Sequence, residues 1–373
     1  MRIGPVQPTV LFAIVIGLTV VPRPGRAQAQ WTLIEELRIG AAETDATTFT
    51  DVRGVAIGTN GQIFVLEYRT QEIRAFDARG KFLKNIARRG GGPGEIATAS
   101  GLVQAPDGTI WVTDRANSRF SAFRADGAFL RHHIIPINSE GFWGAVIDSK
   151  NRINDPIITS VTRSGVGLQA VRRVSLGDAK IDTVPFPCGN DGKVTTAWAG
   201  KNKNGGRFVR VPFSAGPVRL LDPRGFVWCA MGDKYRIVKT QLGRADTLAV
   251  IERTVPAVPV LLAEREAELA RAAALMKGYQ TINVDQSQVP TVKPVIVDLS
   301  LDDGGRLWVR RSTNEAMTTV FDVLDDRGAF VATVRAPFKI QQMWRPVVRG
   351  DAVYVTIVDE DDVEYVVRAR IRK

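Results

Sequence analysis

The sequence predicts an all-β chain, a six-bladed β-propeller of four-stranded antiparallel blades, its ring closed by the N-terminal strand and carrying one inserted helix. Three observations carry this expectation. Residues 54–83 and 101–130 align without a gap at an offset of 47, with ten of 30 positions identical. Each unit is a series of short alternating apolar runs broken by Asn60-Gly61, Arg79-Gly80, Asp107-Gly108 and Asp126-Gly127, the signature of a meander. A strand-like segment, Trp31–Ile39, precedes the first unit, while the last unit, ending in Val363–Ile371, lacks its fourth strand.

The first 29 residues read as a leader. Arg2 is followed by an apolar run of twelve, Val10 to Val21, then Pro22-Arg23-Pro24-Gly25 and the small-residue site Ala27-Gln28-Ala29. Twelve residues fall short of the roughly 20 that span a bilayer, so a signal peptide is expected rather than an anchor. No stable membrane insertion is expected after cleavage, and the protein should be exported, to the periplasm or beyond the cell. Residues 30–373 then form the propeller domain.

Composition narrows the functions. Lys and Arg number 50 against 39 Asp and Glu, a net charge of +11. Removing the leader takes three Arg and no acid, leaving +8. Opposite charges are interspersed and no block of five basic residues occurs, so no nucleic-acid partner is expected. Two Cys and two His exclude a disulfide-dense scaffold and a four-cysteine zinc site.

The repeat continues more weakly. Gly144–Ile153 matches Gly54–Ile63, and Gly225-Phe-Val-Trp-Cys229, Gly305-Arg-Leu-Trp-Val309 and Gly350–Val355 repeat the turn and second strand. Asn154 and Asp155 are expected to interrupt the second strand of the third blade. Pairing of Trp31–Ile39 with Val363–Ile371 would close the ring and protect its edges.

The long connections, 88–99, 188–216 and 255–294, all link the outer strand of one blade to the inner strand of the next, so they fall on one face. Within the third, residues 261–277 predict a helix, with Leu262, Leu269 and Met276 on one apolar stripe. The helix is a candidate lid over the channel.

Candidate binding residues enter the inner strands on that face. Arg53, Ser100 and Trp143 precede Gly54, Gly101 and Gly144, and Lys293, Trp344 and Arg345 lie near the entries of the last two blades. Together they suggest a positive, aromatic funnel for an anionic or sugar-like ligand. The three glycines are read as relieving crowding near the axis. Glu95, in Gly92-Pro93-Gly94-Glu95, is expected to accept backbone hydrogen bonds, with a ligand role as the minority alternative. The run Asp359-Glu360-Asp361-Asp362 reads as a solvated hairpin rather than a calcium site, since it lacks the spaced ligand pattern. Export makes a disulfide between Cys188 and Cys229 chemically open. His132 and His133 fall in an outer strand, away from the axis. No catalytic motif, cofactor or metal site is expected.

The G-x-[IL]-[FW]-V strand, the Val112–Phe120 turn (VTDRANSRF) and the Phe-x-x-x-Gly-x-Phe-Leu ending resemble six-bladed propellers of the NHL-repeat type. The Gly92–Glu95 loop resembles a bacterial exported branch of them. Propellers of this kind include lyases with a channel histidine and lactonases with acidic metal ligands, so the resemblance leaves activity open. The function expected is non-catalytic binding of a ligand or protein partner at the loop-bearing face, by a monomer. A lactonase-like, metal-dependent hydrolase and a structural interaction module of the cell envelope are the alternatives.

Overall fold

In a computed structural model, the described residues are 29–40, 47–135, 145–161, 167–187, 197–244, 246–281, 284–341 and 344–373. The leader up to residue 28, Trp143, Gly144 and Cys188 lie outside them.

Six blades surround an axis. The first blade runs Val52–Ile57, Ile63–Glu67, Glu72–Phe76 and Phe82–Arg89, each strand antiparallel to the next. The second repeats it at Ala99–Gln104, Ile110–Asp114, Arg119–Phe123 and Phe129–Ile134. The third begins with the short strand Val146–Ile147 and continues through Arg152–Val161, Gly167–Ser175 and Ile181–Pro185. The fourth spans Val218–Glu252 and the fifth Ile296–Ala336, again with four strands each.

The sixth blade has three strands of its own, Val347–Arg349, Ala352–Val358 and Glu364–Arg372. Its outer strand is Ala29–Ile39, which pairs antiparallel with the C-terminal strand, Leu33 opposite Ile371 and Ile39 opposite Val366. The start of the same strand runs parallel to the fifth blade, Ala29 opposite Ala332. Blades five and six therefore share one eight-stranded sheet, and the ring closes through the chain's own ends.

The core fills the spaces between blades. Phe64, Trp111, Trp228 and Trp308 occupy the same position of the second strand in four blades, and all are fully buried. Blade three has Asn154 there and Asp155 next, where other blades carry Val65, Val112 or Val309. The expected interruption does not occur. The strand runs unbroken because Asn154 Nδ2 donates to the Arg152 carbonyl and Asp155 pairs with Arg172 on the neighbouring strand at 2.5 Å. The irregularity falls instead on that blade's two-residue inner strand.

Turn aspartates repeat as well. Asp148, Asp222 and Asp302 are buried at equivalent turns, each bonded to an arginine of its own turn: Arg152, Arg224 or Arg306. The indole N–H groups of Trp228 and Trp308 donate to two of them. Burial of these carboxylates is offset by hydrogen bonds from guanidinium and backbone amides.

The two longest connections fold together. A hairpin of Ala197–Asn202 and Gly205–Arg210, between blades three and four, is joined by Gln280–Thr281 from the connection after blade four. A helix over Leu262–Met276 packs on this small sheet, burying Ala272 and Met276 with Trp198, Val209 and Val211. The expected stripe holds only in its C-terminal half, since Leu262 is 71% exposed. Three short strands offer too little apolar surface to cover the whole helix.

Candidate functional site

The site begins with an irregularity shared by three inner strands. In blades one, two and five the register shifts between Val52 and Gly54, Ala99 and Gly101, and Ile296 and Asp298. The extra residues are Arg53, Ser100 and Val297. A bulge bends the strand and re-aims its side chain, here at the end nearest the long connections.

Below the bulge, Gly54 and Gly101 leave room at the axis. A Cβ on Gly54 would lie 2.8 Å from Leu102 Cβ, so the glycine lets the first two inner strands approach. Asp298 on the inner strand of blade five and Arg345, which leads into blade six beside blade one, complete the wall. The result is an axial cavity of about 350 Å³ whose wall includes Arg53, Asp298, Trp344 and Arg345.

Each candidate residue has a defined place. Arg53, Trp344 and Arg345 line the cavity together. Ser100 is fully buried behind it, and its hydroxyl has no partner. Trp143 is outside the described residues. Lys293 lies elsewhere, bonded to Glu264 of the helix at 2.6 Å and to the Thr313 carbonyl. Glu95 closes its own loop by accepting the Gly92 amide at 2.9 Å, which lowers its pKa.

The expected positive funnel is electrically closed. Arg53 is held by both oxygens of Asp51, at 2.6 and 2.8 Å, and lies 3.8 Å from the Tyr68 ring centroid. Arg345 Nε donates to Asp298 at 3.2 Å, and Lys293 is neutralised by Glu264. The helix does not act as a wall: no residue of it or of its sheet lines the cavity.

The supporting residues carry no sequence motif. Arg310, buried and opposite Asp298 in the blade-five pairing, donates to the carbonyls of Ile340 and Gln341. Burial lowers its pKa to about 10. It thereby fixes the connection that delivers Trp344 and Arg345. Glu364 joins this connection to blade one, accepting from Gln341 Nε2 at 2.9 Å and from the Val52 amide at 2.7 Å. Ser300 and Thr356 belong to the wall, with their hydroxyl oxygens buried beneath its surface and without protein partners among the described residues.

The remaining candidates are structural. His133 Nε2 contacts the Leu176 carbonyl at 3.0 Å and the ring stacks on Trp111, far from the axis in its outer strand. Asp359 accepts the amides of Asp361 and Val363 and the Tyr365 hydroxyl, so it orders its own turn. Among the described residues no three His, Cys, Asp or Glu side chains are grouped to hold a metal ion. No helix among them is long and apolar enough to cross a membrane. Cys229 is disulfide-bonded, and the chain's other cysteine, Cys188, is outside the described residues.

A family model described as a 6-bladed β-propeller matches residues 44–142, the first two blades. No curated protein matches the sequence. Among solved structures, a putative exported protein from Bacteroides fragilis aligns at a TM-score of 0.50 and 12% identity, over 92% of this chain and 96% of that one. Virginiamycin B lyase from Staphylococcus aureus aligns at 0.47 and 12%, over 91% and 99%. A gluconolactonase from Xanthomonas campestris aligns at 0.43 and 9%, over 94% and 99%. The strand order, the ring closure and the matched family description agree that the chain is a six-bladed β-propeller.

Proposed function

We propose that this propeller binds a small ligand in its axial cavity, at the end where the long connections converge, and that it does so after export, without catalysing a reaction. The observation that carries the reading is the cavity itself, about 350 Å³, with a largely apolar wall that includes a few charged groups, Arg53, Asp298 and Arg345. The cavity falls within the roughly 300–1,000 Å³ of small-molecule sites. Export is supported by the leader pattern in residues 1–29 and by the description of the Bacteroides relative in fold.

The hydrolase alternative draws no support from the wall, whose one carboxylate among the described residues, Asp298, is engaged by Arg345. The test is a fragment screen read by ligand-observed NMR on the exported protein and on Ala145→Phe, which adds bulk to the cavity wall. Fragments should bind the wild type and be lost in the variant. Identical binding to both proteins would overturn the reading.

A further inference from the structure

The basic charge of the chain is unevenly neutralised. Exposed arginines elsewhere sit in ion pairs, Arg124 with Asp126 and Arg236 with Glu252. The hairpin of Ala197–Asn202 and Gly205–Arg210 differs. Residues 197–210 hold Lys201, Lys203, Arg207 and Arg210 and no Asp or Glu. Among the described residues none of the four makes an ion pair. Arg207 lies 5.7 Å from the Tyr279 ring centroid, and Arg210 donates to the hydroxyl and the carbonyl of Ser214, so neither charge is cancelled.

The pairing sorts the hairpin into two faces, because adjacent strand residues point in opposite directions. Trp198 and Val209 face each other and are buried with the helix, and a Cβ on Gly200 would lie 2.8 Å from Met276 Cε. The other face therefore carries Ala197, Ala199 and Lys201 on one strand and Gly206, Phe208 and Arg210 on the other. Phe208 stands opposite Ala199 and is 52% exposed. A lone exposed aromatic is ordinary. This one has Arg210 two residues along its strand and Lys201 as its diagonal neighbour on the next, both unneutralised. No residue of the hairpin lines the axial cavity.

We infer that this hairpin docks on a lipid surface bearing anionic headgroups. Its lysines and arginines meet the phosphates, and the ring of Phe208 enters the interfacial layer, where aromatic side chains are favoured. Complementary charge selects an anionic partner. The face itself selects lipid over an acidic polysaccharide. None of its six side chains accepts a hydrogen bond, so sugar hydroxyls would find no acceptor, whereas phosphate oxygens need only donors.

The test is co-sedimentation of the exported protein with phosphatidylcholine vesicles, with and without phosphatidylglycerol, at low and high salt. Binding should require phosphatidylglycerol and fall as salt rises. Lys201→Gln combined with Lys203→Gln should weaken it at least tenfold, and Phe208→Ser should do the same. Lys150→Gln combined with Arg327→Gln removes the same charge from exposed turns of blades three and five and should leave binding unchanged. Each variant alters exposed residues, so its circular dichroism should match wild type. Equal binding to both kinds of vesicle, an equal loss in the Lys150 and Arg327 variant, or unchanged binding in either hairpin variant would overturn the inference. Capture of alginate through the same lysines without vesicle binding would overturn the lipid, and so would binding to neither.

Discussion

Glu364 holds the Val52 amide at 2.7 Å, across 312 positions of sequence. That bond fixes the strand whose next residue is Arg53, and the other carboxylate oxygen grips Gln341 in the connection that carries Trp344 and Arg345. One side chain thus sets the spacing between two walls of the cavity.

Glu364→Ala should therefore act twice. It leaves the buried Val52 amide unpaired, a loss of about 1–3 kcal/mol in urea denaturation. It should also weaken ligand binding, while Glu364→Gln, which keeps an acceptor, should retain much of both. Equal stability for wild type and the alanine variant would show that the bond contributes nothing.

Asp155 should make stability depend on pH. Burial pushes its carboxyl up to about 6, against the lowering influence of Arg172. The folded state then keeps a proton that the unfolded chain releases near pH 4. This group's contribution is fully present below about 4 and is lost as pH rises through about 6. Asp155→Asn removes the dependence. Relative to wild type, the variant should gain up to about 2–3 kcal/mol between roughly pH 4 and pH 7. A difference that stays flat across that range would count against the raised value.

Gly54→Ala tests the close approach at the axis. The added methyl would meet Leu102 Cβ at 2.8 Å and the Leu102 backbone nitrogen at 3.1 Å. Overpacking of this kind costs about 1–3 kcal/mol, read from denaturation midpoints. Gly108→Ala provides a contrast, since nothing lies within 4 Å of its Cβ position and only its φ of +84° opposes the change.

The disulfide is the fourth test. With two cysteines in the chain, we propose Cys188 as the partner of Cys229, closing a loop worth about 4 kcal/mol on the chain-entropy account. The exported protein should show no free thiol when denatured, and reduction should lower its melting temperature. Two free thiols in the denatured, unreduced protein would refute the pairing.

Much of the ring was legible because its turns are punctuated by glycine and its first two units share one offset. The bulges were not, for a plain reason. An extra residue present in both copies leaves an offset of 47 unchanged, so Arg53 and Ser100 were found by position without their geometry. Asp298 and Arg310 were invisible because their roles come from facing strands, and nothing in a strand's own sequence marks its partner. The joining of 197–210 with 262–281 was hidden likewise, since Gly200 meets Thr281 with a whole blade between them. The helix is legible in residues 261–277, but the extent of its buried face is not, because sequence shows the stripe and not how much surface awaits it.

The closure strand also sets a clock. Among the described strands Ala29–Ile39 is made first, yet its partner Glu364–Arg372 is made last. Until Glu364–Arg372 is synthesised, Ala29–Ile39 lacks its antiparallel neighbour, and non-local pairing of this kind is slow. An unpaired strand is an invitation to other chains for as long as it waits. The final nine-residue strand is thus a latch, and a chain cut short before Glu364 would carry a ring that five blades have built and nothing can shut.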